Sequence, residues 1–246
     1  MSNSKIYIHE LIDIIGPNRA KYMHHMTANW CPIGRAERNQ LCYGVWGTVG
    51  STGRWPEVVN MWELDGWDGL AANLEHELSH PAMQDPSLAE WWSTAAGFRS
   101  GGFDRILEPA PSAPTIDELV AAGAGGAFYA HEIITAAPGA SVELLDAIQA
   151  IGRPTAAALD VDLLGAFRVA MADDRECIAI WSFPDWPAWV AFEQGWTAKG
   201  AMEPWRTALI EFGAAFRRTL MIDAPLAPLR IGRQPSVEDR RPLDAI

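Results

Sequence analysis

Two stretches of this chain read almost alike: YIHELIDIIGP, Tyr7 to Pro17, and YAHEIITAAPG, Tyr129 to Gly139. Tyr, His and Glu coincide when the second is laid over the first at an offset of 122 residues. Further matches follow in the same order. GVWGTV from Gly44 lies over GAFRVA from Gly165, and MWELDGWDGL from Met61 over IWSFPDWPAW from Ile180, which superposes Trp62 on Trp181 and Trp67 on Trp186. AAGFRSGGFDRIL then falls near GAAFRRTLMI. Ordered matches with a slowly drifting offset are the mark of an internal repeat.

Each copy follows one plan. A period-2 stretch (5–14 and 127–135) predicts a strand, and a helix follows it. Pro17 sits near the start of the first helix, where a missing N–H is harmless. Ser141 is the expected N-cap of the second, with Gly152 and Pro154 as its stop. Two strands come next, 42–50 with 56–63 and 161–171 with 175–183, turned by Gly50–Gly53 and Asp173–Asp174. A two-part helical region (67–80 with 86–97, 185–197 with 203–216) and a last strand (103–108, 219–223) complete each copy. The order is β-α-β-β-α-β, a ferredoxin-like unit.

One such unit leaves a sheet face bare, and a tandem pair covers it by packing sheet on sheet. The expected fold is therefore α+β: duplicated ferredoxin-like units forming an intrachain dimeric α/β-barrel-like sandwich. The expected boundaries are 1–110 for the first unit, 111–126 for a linker with a short helix capped by Thr115 and Glu118, and 127–226 for the second unit. Residues 227–246 are expected to form an extended tail, mobile or laid across a neighbouring surface.

Composition narrows the function. The chain has 246 residues, a formal charge of −12 and no close cysteine pair among Cys31, Cys42 and Cys177. The charge argues against nucleic acid. No apolar run approaches the roughly 20 residues of a membrane span, and the N-terminus is a poor signal peptide. A cytoplasmic setting fits, with self-association left open.

The opening strands (IHEL at 8–11, AHEI at 130–133), the paired aromatic strands and the Trp after the third strand make the chain resemble the dimeric α/β-barrel superfamily, and within it the NIPSNAP-type domains. Ile12 and Ile134 stand where those domains usually carry Arg, so no role of that arginine transfers. The superfamily includes cofactor-free monooxygenases, cyclases, isomerases, dehydratases and haem-using peroxidases, so the resemblance implies a fold and not a reaction.

HELSH (76–80) matches the H-E-x-x-H zinc pattern. Pro81 ends the helix just where a metalloprotease continues it. No histidine follows until His131, Asp85 or Glu90 would serve only if the chain folded back, and the second copy carries EQGWT there. The expectation is an exposed helix end without metal. His24 and His25, adjacent on the first helix, are expected to face solvent.

The doubled Tyr-x-His-Glu is the stronger candidate. Glu10 and Glu132 are expected to face the gap between the sheets, where desolvation raises a carboxyl pKa and suits it to acid–base work. His9 and His131 then point to the helices and assist. Trp46, Asn60, Trp62, Phe167 and Trp181 are the expected substrate-binding residues. Asn60 of one copy corresponds to Ala179 of the other, a difference in polarity, so one copy is expected to hold the working pocket while the other braces it. The leading expectation is a cofactor-independent lyase or isomerase moving protons on a small apolar organic substrate. The alternatives are a cofactor-free monooxygenase and a non-catalytic ligand-binding or scaffold protein.

Overall fold

The computed structural model describes residues 2–246. Its first half contains β1 (Ile6–Ile14), α1 (Arg19–His24), α2 (Cys31–Glu37), β2 (Leu41–Thr48), β3 (Glu57–Leu64), α3 (Gly66–Leu78), α4 (Ala89–Ala96) and β4 (Arg99–Pro109). After α5 (Ile116–Ala121) the plan repeats. The second half contains β5 (Phe128–Thr135), α6 (Ser141–Ala147), α7 (Arg153–Ala157), β6 (Asp162–Ala170), β7 (Glu176–Phe183), α8 (Trp186–Gln194), α9 (Glu203–Glu211) and β8 (Ala215–Asp223), and α10 (Pro228–Ile231) follows.

Each half orders its antiparallel strands identically, β4-β1-β3-β2 and β8-β5-β7-β6. The halves then join at their edges. Trp46–Thr48 of β2 pair with Asp223–Met221 of β8, and Ile106–Pro109 of β4 pair with Ala170–Phe167 of β6, closing an eight-stranded barrel. Closure joins the outer strands of the two halves over three residues at one seam and four at the other. Both units come from one chain, and the expected face-to-face sandwich is a ring.

Small irregularities also recur. The register shifts between Cys42 and Gly44 in β2 and between Leu163 and Gly165 in β6. Both glycines lie under an aromatic ring two residues on: a Cβ on Gly44 would stand 2.1 Å from the Trp46 ring, and one on Gly165 2.7 Å from Phe167. π-helical turns at His25–Trp30 and Ile148–Gly152 link α1 to α2 and α6 to α7. They explain why Pro154 does not stop the helix. The α-helical pattern restarts after the π turn, and Pro154, like Pro32, falls in its first turn, where no N–H is needed. Ser141 opens α6 from inside, with Ala140 at the cap.

The last strands begin earlier than expected, at Arg99 and Ala215. Their first residues are Gly- or Arg-rich and exposed, so they carry no apolar alternation. The Thr115–Glu118 capping box forms as expected. The tail folds back on the first half: Gln234 bonds both the N–H and C=O of Cys42, and the Arg241 N–H donates to His24 Nε2. His24 and His25 are therefore buried, contrary to the expectation from sequence, and His25 stacks on Trp91 with ring centroids 4.8 Å apart.

Three apolar cores result. One fills the barrel interior, with Tyr7, Tyr43, Trp46, Phe167 and Tyr129 at its centre. The other two lie between each half's sheet and its helices. No helix among the described residues is long and apolar enough to cross a membrane.

Candidate active site

Alternation along β1 and β5 decides where the chemistry sits. Tyr7, His9 and Leu11 point into the barrel, so Glu10 points out toward the helices, and β5 places His131 inside and Glu132 outside in the same way. This reverses the expected faces. Both sides of each sheet are covered by apolar layers, so polarity along the strand does not distinguish inside from outside.

Glu10 lines a cavity of about 440 Å³ between the first sheet and its π-helical turn, α3 and α4. Its Oε2 accepts 2.9 Å hydrogen bonds from Asn60 Nδ2 and Trp62 Nε1. The Asn60 amide also donates to the Tyr22 hydroxyl at 2.9 Å. Register places Glu10 beside Asn60 on β3 and Asp104 on β4. Burial first, and Asp104 second, push the Glu10 carboxyl above the usual glutamate range, and the Trp62 and Asn60 bonds and the Arg99 charge only partly offset this. Asp104 is itself raised by burial. Trp30, Trp62, Trp91 and Trp92 wall the space, while Arg38, Glu77 and Arg99 stand among its polar lining. Trp91 Nε1, Trp92 Nε1, Arg38 Nη2 and Asn60 Oδ1 are buried without a partner.

The second half is built differently at the same place. Glu132 is paired across the sheet with Arg218, where Glu10 meets Asp104. The Arg218 guanidinium donates to Glu132 Oε1 at 2.9 Å and to Glu193 at 2.7 Å, and Trp181 Nε1 donates to Glu132 Oε2 at 2.5 Å. The guanidinium also lies 4.8, 4.4 and 4.7 Å from the ring centroids of Phe192, Trp196 and Phe216. Ala179 stands where Asn60 does, and Leu144 occupies the repeat position of Tyr22. Glu132 is thus a neutralised brace, whereas Glu10 opens on a cavity with an acid beside it.

His9 and His131 meet inside the barrel, His9 Nε2 lying 3.5 Å from His131 Nδ1. Burial lowers His131 to about 3 and His9 well below its usual range, so both are neutral. The sheet separates them from the glutamates, and they do not assist them. They border a second cavity of about 330 Å³ that is also lined by Arg54, Arg105 and Arg217. Tyr7 and Tyr129 of the repeated motif serve the barrel core, each donating a 2.9 Å bond to a buried acid, Glu63 and Asp223.

The expected substrate-binding residues divide likewise. Trp62 lines the Glu10 cavity, Asn60 bonds Glu10 without lining it, and Trp181 belongs to the Glu132 brace. Trp46 and Phe167 are barrel core, Trp46 packing edge-on to His131 at 4.8 Å and Phe167 to Tyr7 at 4.9 Å. Tyr22, Trp30, Trp91, Trp92 and Asp104 were not among the expected site residues. The adjacent Trp91–Trp92 pair was the one local signal in the sequence.

No family model and no curated protein matches the sequence. Solved structures do match in fold. An anthrone oxidase-like protein superposes with a TM-score of 0.56 at 12% identity, covering 90% of this chain and 94% of its own. A candidate monooxygenase from Lactobacillus acidophilus gives 0.55 at 10% identity, covering 89% and 94%. Another, from Fusobacterium nucleatum subsp. nucleatum, gives 0.53 at 9% identity, covering 91% and 94%. These likenesses establish the dimeric α/β-barrel fold.

Proposed function

We propose that the Glu10 cavity is the active site of an oxygenase acting on an apolar aromatic molecule whose carbon acid is activated by a neighbouring carbonyl. The observation that carries this reading is the charge asymmetry at one repeat position: Asp104 stands beside Glu10, which forms no direct ion pair in its Trp-walled cavity, and Arg218 pairs directly with Glu132. A buried carboxylate with a raised pKa is matched to taking a proton from carbon near neutral pH. The names of the three similar structures favour oxidation over proton transfer alone.

The chemistry balances without an added reductant. Ionised Glu10 removes one proton from the substrate CH2, and the carbanion reduces O2 and bonds to it, giving a peroxide that takes the proton back. Loss of the second C–H proton then breaks the O–O bond and releases water, so that CH2 and O2 become C=O and H2O. Asn60 and Trp62 hold the Glu10 oxygen that faces them, and the indole walls accommodate a flat substrate.

Oxygen uptake with anthrone-type substrates tests the proposal, with stoichiometric ketone expected. Glu10→Gln should lose at least about a hundredfold in rate, the usual worth of a positioned base, while Glu132→Gln keeps the chemistry. Proton exchange into the substrate without oxygen uptake would assign the site to a lyase or isomerase instead. We also infer a tandem duplication, supported by the shared strand order, bulges and π turns.

A further inference from the structure

The HELSH stretch is not absorbed by the proposed site, and its surroundings differ from those expected. The helix carrying it ends at Leu78, and the chain then folds back through Pro81 so that Asp85 returns to the two histidines. His76 Nε2 lies 3.2 Å from Asp85 Oδ2, and His80 Nε2 lies 4.0 Å from Asp85 Oδ1. One ligand atom from each of the three residues falls within 4.8 Å of the others.

We propose that His76, His80 and Asp85 form a binding site for a divalent transition ion of the zinc class, a two-histidine, one-carboxylate site completed by water. Ligands held at about 2.0–2.2 Å in a tetrahedron lie roughly 3.4 Å apart, so the observed spacings need only small side-chain movements to admit an ion. The carboxylate is already aimed. Asp85 Oδ1 accepts from Ser87 N–H at 2.9 Å and from Ser87 Oγ at 2.7 Å, leaving Oδ2 turned toward His76. Such second contacts orient the ligands of known metal sites.

The site is not a protease centre. The motif's glutamate, Glu77, is held by Arg38 Nη1 at 3.3 Å and lines the Glu10 cavity instead. The ion would clamp the end of α3 to the turn that leads into α4, and so fix the segment bearing Trp91 and Trp92. This inference stands apart from the proposed reaction.

The test titrates chelator-stripped protein with Co²⁺ and follows visible absorption. The expected result is one equivalent bound with the intense bands of four- or five-coordinate cobalt, displaced by one equivalent of Zn²⁺. His76→Gln and Asp85→Asn should each weaken binding at least about tenfold; the asparagine keeps a side chain able to cap the following turn. Far-UV circular dichroism of each variant confirms folding. If Asp85→Asn fails to fold, the surface pair His76→Gln/His80→Gln decides in its place. Unchanged affinity in the variants, or only the pale spectrum of six-coordinate cobalt, overturns the site.

Discussion

Replacing Arg218 by Met tests whether the second half is a brace. The Glu132 side chain is fully buried and that of Arg218 is 7% exposed, so the pair is desolvated. Removing one partner of a buried ion pair costs about 3–5 kcal/mol, because the other charge stays behind unpaired. Methionine retains part of the contact with Phe192, Trp196 and Phe216 but forfeits cation–π attraction, itself worth roughly 2 kcal/mol when desolvated. That loss overlaps the pair term and is not added to it. At about 2–4 °C per kcal/mol for a chain of this size, the midpoint should fall by roughly 6–20 °C. Adding Glu132→Gln to Arg218→Met removes the stranded charge and should recover most of the loss. The assay is thermal and denaturant unfolding of wild type, both single variants and the double variant, with oxygen uptake measured well below every midpoint. A single Arg218→Met loss under about 1 kcal/mol, or a double variant no better than the single, refutes the argument. So does a large loss of activity in folded double variant.

Asp104 raises the Glu10 pKa, so Asp104→Asn should shift the rising limb of the pH–rate profile to lower pH; an unmoved limb dissociates Asp104 from the titration. Gly44→Ala should destabilise by about 1–3 kcal/mol, because the new methyl overlaps the fully buried Trp46 ring; urea unfolding measures it. His131 titrates near 3 in the fold and near 6.5 when unfolded, so below pH 6.5 the unfolded chain binds a proton the fold refuses. Stability should therefore fall with pH from about 6.5 toward 3, by up to roughly 1.4 kcal/mol per unit from this residue. His131→Leu should flatten that slope in unfolding measured across the window.

The repeat was legible because its signals are local: Tyr-x-His-Glu, the paired Trp62 and Trp181, and the glycines that each copy places beneath an aromatic. The face each strand turns to the barrel was not. Tyr7 and His9 on one side and Ile6, Ile12 and Ile14 on the other are all buried, so alternation carries no contrast to read. The decisive Asp104–Arg218 difference was hidden by register. Matching the two Phe-Arg dipeptides at 98–99 and 216–217 sets Ser100 against Arg218, whereas pairing with Glu10 and Glu132 sets Asp104 there. The shift comes from the Gly101–Gly102 stretch and the bulge at Asp13–Ile14. Likewise, Pro81 reads as a stop in sequence, and only the returning chain shows that Asp85 reaches the histidines.

The two halves show why repetition helps a site of this kind. A carboxyl held above its ordinary pKa in an apolar layer is destabilising, and so is an open cavity beside it. The first half contains both, with buried polar atoms of Arg38, Trp91 and Trp92 left unpartnered around the cavity. The second half fills the same strand position with an ion pair in which Arg218 bonds both Glu132 and Glu193 and packs under three rings. Because β2–β8 and β4–β6 pairing makes one barrel of the two, rigidity in the second sheet constrains the first. Installing arginine at position 104 extends the logic: Asp104→Arg should close the Glu10 cavity as Arg218 closes its counterpart, raising the unfolding midpoint while abolishing oxygen uptake. A variant that stays active with arginine there would show that Glu10 does not need to stay out of a direct ion pair, and the division of labour between the halves would have to be given up.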